Sequence, residues 1–161
     1  MSAEAKPKLT SLYDIDFQCW IDQTVEQLKT HDFGSLDLEN LIEEIESLGK
    51  RDKRSVSSYL RRLCEHLLKI ECWESEREAC FRGWKIEVQN FRLQIRDILK
   101  DSPSLKNYLK SNFADEYRDG RKLLLNSSNL NPSLVSEAPA FTLEQALDED
   151  WLPWQPSNRL L

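Results

Sequence analysis

The sequence predicts an all-α protein: a helical bundle of four to five main helices, then a short C-terminal helix and an extended tail. Three observations point there. Apolar residues recur at spacings of three and four through most of the 161 residues, the period of a helix that buries one face. No stretch alternates apolar with polar residues as a half-buried strand does. Glycine (4) and proline (6) are too scarce for the many turns of an all-β fold.

Each element follows from local signals. Residues 1–12 read as a flexible lead. Asp14 or Asp16 caps a first helix, about Asp16 to Thr30, with Phe17, Ile21, Val25 and Leu28 as its inward stripe beside Trp20. In "HDFGS" Gly34 supplies the turn. Ser35 or Asp37 starts a second helix with the stripe Leu38, Leu41, Ile42, Ile45 and Leu48, which Gly49 ends or kinks. The third helix, about Arg51 to Trp73, carries Val56, Leu60, Leu63, Leu67 and Ile70 at a spacing suited to bundle packing. The polar run "ESERE" interrupts. The fourth, about Ala79 to Lys100, turns Phe81, Trp84, Val88, Phe91, Ile95 and Ile98 or Leu99 inward. In "DSPSL", Asp101 or Ser102 caps a fifth helix with Pro103 at its first position; it carries Leu105, Leu109, Phe113 and Tyr117 to about Leu125. Residues 126–140 are a Ser/Asn/Pro loop. Thr142 and Gln145 form a capping box for the last short helix. The tail, with Trp151 and Trp154, lies along the body, because in water those rings would expose large apolar area.

Length and composition fit one domain, residues 13–154, with residues 155–161 as a tail. With 40% hydrophobic and 31% charged residues the chain is globular rather than disordered. A net charge of −6 disfavours general nucleic-acid binding unless the basic residues gather on one face. Cys19, Cys64, Cys72 and Cys80 contain no C-x-x-C pair and read as buried or half-buried thiols of a reducing cytoplasm. The N-terminus has no apolar signal segment and no window spans a membrane, so a cytoplasmic protein without membrane contact is expected.

Several ordered stretches, "YDIDFQCW", "LDLENLIEEIESLGKRDKRSVSSYLRRLCEHLLKIE", the segment Trp84 to Arg92, "DSPSLKNYL" and "LDEDWLP", resemble the cyanobacteria-rich family known as domain of unknown function 29. The resemblance covers about residues 11–154, and "NLIEEI" and "HLLK" are its most specific parts. It implies an all-α bundle and supplies no reaction. After "HLLK" the family's usual segment has a proline where Ser75 stands, and a serine where Gly83 precedes Trp84.

Few groups could do chemistry. Glu43 and Glu44 are adjacent, so a rotation of about 100° per residue separates them. Glu44 falls at the edge of its stripe and Glu43 nearly opposite; they do not converge as an acid/base pair. His66 lies at the edge of the third stripe. If the second and third helices pack antiparallel after Gly49, Glu44 and His66 approach each other, as a polar clasp or as half of a metal or acid/base site. No zinc, EF-hand, phosphate-loop or nucleophile-elbow motif occurs, and no metal or cofactor is expected. The basic run Lys50, Arg51, Lys53, Arg54, Arg61 and Arg62 could grip phosphates, although neighbouring glutamates oppose it. Arg77, Arg82, Lys85 and Arg92 interleave with Trp73, Trp84 and Phe81, a mixture that suits guanidiniums stacked over a core.

The resulting expectation is a protein-binding module with Glu44, His66, Trp84 and Arg92 lining a groove between helices two, three and four, and a protein as partner. The alternatives are a metal-assisted nuclease using Glu44 and His66 with Arg62 or Arg92, and a nucleic-acid-binding module using the basic start of helix three. Nothing in the sequence sets the oligomeric state.

Overall fold

A computed structural model of the chain describes residues 10–157. Helix makes up 77% of it, and no strand forms among the described residues. The fold is all-α, as the apolar period requires. The chain divides into two compact units, one up to Gly49 and one from Lys50.

In the first unit a single turn, α1 (Leu12–Ile15), precedes α2 (Phe17–Lys29). Ser11 donates to Asp14 Oδ2 from its hydroxyl at 3.0 Å. Asp14 therefore belongs to α1, and Asp16 alone caps α2, accepting from the Cys19 N–H at 3.0 Å. The turn after α2 is not made by Gly34. His31 takes the left-handed conformation, φ 58°, while the Asp32 N–H reaches back to the Gln27 carbonyl at 2.9 Å. That bond closes the helix end as a left-handed C-cap does, and histidine tolerates the conformation better than most residues. Gly34 lies in a 3-10 turn, Phe33–Ser35.

The next helix corrects the sequence reading. α3 runs unbroken from Leu38 to Cys72, so the expected second and third helices are one, and Gly49 does not end it. A helical glycine costs only about 1 kcal/mol relative to alanine, and here it is flanked by Glu, Leu, Lys and Arg, all good helix formers. Asp37 caps α3: its Oδ1 accepts from the Asn40 backbone N–H at 3.4 Å, and its Oδ2 from the Asn40 side-chain amide at 2.7 Å.

Both stripes of the first unit were expected inward; Ile21 and Leu41 are half-buried and the rest of both stripes is exposed. Trp20 and Thr24 are the buried residues of α2, whereas Phe17, Val25 and Leu28 are exposed. On α3, Leu38 is 58% exposed, Ile42 50%, Ile45 60% and Leu48 53%.

The second unit holds the core. The rest of α3 is followed at Trp73 by α4 (Glu74–Asp101), which includes the "ESERE" run rather than starting after it; Glu74 and Glu76 sit in the first turn, where negative charge suits the helix dipole. α5 (Leu105–Ser127) begins two residues beyond Pro103, and α6 (Leu143–Leu147) is the short last helix. Thr142 and Gln145 close the expected capping box at 2.9 and 3.1 Å. Val56, Leu60, Leu63, Leu67 and Ile70 of α3 are fully buried with Val88, Ile95, Leu109, Tyr117 and Leu124. Truncating one such leucine to alanine costs about 2–5 kcal/mol. Phe141, Leu143 and Ala146 return to the same core, and Trp151 and Trp154 pack against it. Among the cysteines, Cys64 is buried and Cys72 and Cys80 half-buried, but Cys19 is exposed: it sits on the open side of α2.

Candidate functional site

The first unit gathers aromatic and acidic groups at the head of α2. Tyr13 of α1 and Phe17 of α2 meet edge-on at 5.7 Å, and Tyr13 meets Trp20 at 5.0 Å. Phe17 stacks on Trp20 at 5.6 Å. The Tyr13 hydroxyl donates to Glu44 Oε1 at 2.6 Å. The hydrogen bond to that carboxylate, followed by desolvation and the nearby Glu44, Glu43 and Asp14 charges, pushes the Tyr13 phenol up to about 12. Glu44 is half-buried and Glu43 exposed, in line with their positions on the helical wheel.

The second unit holds the other sequence candidates, in structural settings. His66 is 5% exposed. Its Nδ1 faces the Arg62 carbonyl oxygen at 2.9 Å, a contact in which a protonated Nδ1 donates, and its ring lies 5.5 Å from that of Phe91. Burial is the main force on its pKa, lowering it from the usual histidine value; the Arg62 carbonyl opposes this and Lys69 adds to it. Arg62 donates to Glu65 Oε2 at 2.5 Å, and Lys69 pairs with the other oxygen at 2.9 Å. Arg61 is held by Glu116 at 2.9 Å. Two cations of the expected basic run are thus bound by carboxylates, and Lys53 sits 5.7 Å from the Tyr108 ring.

Arg92 is 3% exposed. Its guanidinium donates to three main-chain oxygens beyond α5: Nε to Ala146 at 2.8 Å, and Nη2 to Trp151 at 2.9 Å and Gln145 at 3.4 Å. Burial lowers its pKa, opposed by Asp148 and Glu149. Trp84 is half-buried and stacks on Trp73 at 5.8 Å. Arg77 lies 4.6 Å from the Trp154 ring and donates to the Glu71 carbonyl at 2.6 Å, the covering role its aromatic neighbours suggest.

The antiparallel pair that was to bring Glu44 to His66 does not form. Both residues lie on α3, 22 positions apart, and within one helix neighbouring side chains are three or four apart. The second unit carries surface clefts. One, of about 530 Å³, is lined by Arg92, Ile95, Arg96, Leu99, Lys106 and Leu147. Another, of about 480 Å³, lies between Phe113, Phe141 and Thr142. Among the described residues no group of three or more His, Cys, Asp or Glu is placed to hold a metal ion, and no helix is long and apolar enough to cross a membrane.

Sequence reasoning missed the Tyr13–Glu44 bond and the Arg61–Glu116 pair. The first had a partial signal: Tyr13, Phe17 and Trp20 follow one another at four and three residues. The second joins residues 55 apart and had none.

The chain matches the family model described as Domain of unknown function DUF29 over residues 12–152 and belongs to that family. No curated protein and no solved structure matches it.

Proposed function

We propose that this member of the family acts by binding another protein, through the open apolar side of its first unit. The observation that carries the reading is the row Leu38, Ile42, Ile45 and Leu48, each at least half exposed along one side of α3. Phe17, Val25 and Leu28 of α2 add to the exposed apolar area. A contiguous apolar patch of this kind is the usual mark of an interaction surface, and burying each such side chain contributes about 1.5–3 kcal/mol. In this reading Glu44 belongs to the margin of the face. His66, Trp84, Arg92 and Arg62 support it indirectly, by holding the second unit in its fold.

The test is quantitative affinity capture with the full chain and with Ile45→Asp. A bound protein retained by the parent and lost by the variant, at unchanged melting temperature, is the expected result. Retention of every bound protein by the variant overturns the reading.

A further inference from the structure

We infer that the occupant of the open apolar face is a basic amphipathic helix of another protein; this rests on the protein-binding reading above and names its partner's chemistry. Three features of the first unit converge.

The first is the shape of the row. Leu38, Ile42, Ile45 and Leu48 follow one another at four, three and three residues on a single helix. A partner that interdigitates along such a ridge is itself a helix with apolar residues at the same spacing.

The second is charge. Residues 10–49 carry ten Asp and Glu and a single lysine, Lys29. From Lys50 onward the two signs nearly balance, at nineteen Lys and Arg to seventeen Asp and Glu. The acidity of the whole chain therefore resides in the unit that bears the exposed row.

The third is the placing of that charge. By helical rotation Glu39 and Glu46 fall on one flank of the row and Glu44 on the other. Glu44 is held there by the Tyr13 hydroxyl at 2.6 Å, with Glu43 and Asp14 adding negative charge around that phenol. An apolar ridge between carboxylates complements a helix whose leucines are flanked by lysine or arginine. Two copies of the same unit would oppose like charge to like charge, and anionic lipid would be repelled.

The full chain is titrated into a labelled helical peptide of leucine and lysine, with leucine at spacings of three and four, and binding is followed by anisotropy. Two controls are a peptide of identical composition with the spacing scrambled, and a leucine–glutamate peptide of the original spacing. Sedimentation measures self-association of the chain alone. The patterned basic peptide is expected to bind roughly tenfold or more tighter than either control, and to weaken as salt screens the flanking charges. Ile42→Ser with Ile45→Ser should reduce its affinity by about tenfold at unchanged melting temperature, and Glu39→Gln should flatten the salt dependence.

Equal binding of the leucine–glutamate peptide, abolished by the isoleucine substitutions, overturns the basic partner while leaving protein binding standing. Self-association abolished by those substitutions, with no peptide bound, does the same and makes a second copy the occupant. Binding of the basic peptide that ignores both isoleucines overturns the face itself as the docking site. A chain that stays monomeric and binds no peptide overturns the basic-helix proposal, while the capture experiment still decides protein binding as such.

Discussion

A side chain at Gly120 would collide with the backbone of Arg61: a Cβ built on that glycine meets the Arg61 carbonyl oxygen at 2.7 Å, and Cys64 Cβ at 3.0 Å. Helices α3 and α5 therefore touch main chain to main chain at this level. In an exposed helix, glycine to alanine would stabilise by about 1 kcal/mol. At this contact the sign reverses, because rigid backbone must move. Gly120→Ala is expected to lower stability by about 1–3 kcal/mol, as a lower urea midpoint; Gly49→Ala, with open space around it, is expected to raise it.

Arg92 ties α4 to the segment beyond α5 through three carbonyl oxygens. Arg92→Met keeps the apolar stem but leaves buried acceptors unpaired, and should destabilise by about 2–4 kcal/mol. Arg92→Lys should recover little, since one ammonium cannot reproduce the planar fork. Denaturation followed by tryptophan fluorescence checks both, because Trp151 sits at the clamped segment.

The Tyr13–Glu44 bond has a signature at alkaline pH. The folded phenol titrates at about 12 against an ordinary 10.0. A raised acid favours the folded state fully below its unfolded pKa, and that contribution disappears as pH rises from 10 through 12. Tyr117, also pushed up to about 12 by burial, titrates in the same window. The test is therefore a comparison: Tyr13→Phe should lose less stability than the parent across that range. Its tyrosinate absorbance should lack one late-rising component.

His66 predicts the opposite edge. Its folded pKa lies below the ordinary 6.5 because burial disfavours the imidazolium. The unfolded chain then takes up a proton that the folded one resists. Stability is complete above 6.5 and falls as pH drops below it. His66→Gln, neutral throughout, should flatten that fall; urea midpoints between neutral and mildly acidic pH measure it. An unchanged slope would mean that the imidazole is not held neutral by its surroundings.

The positions of these groups differ in how far the sequence announces them. The caps at Asp16, Asp37 and Thr142 are satisfied within three residues of the cap itself, so local chemistry is enough to find them. The α3 core row from Val56 to Ile70 repeats at helical spacing and is buried to the last residue. The row from Leu38 to Leu48 has the same spacing and is exposed. Periodicity reports that a helix has an apolar side; it carries no information on whether anything covers that side. His31 likewise took the left-handed turn beside a more permissive glycine, because the closing bond falls at Asp32, one residue after His31.

From the sequence alone came the helical class, the starts of α2, α3 and α6, the core row of α3 and the family, all of them properties of short-range spacing and of ordered motifs. Only the tertiary structure decided that Arg92 and His66 point into packed interior, and that Glu44 answers to Tyr13. These outcomes depend on contacts between residues tens of positions apart. The free energy of such a contact depends on what the rest of the chain brings to it, and no local pattern encodes that.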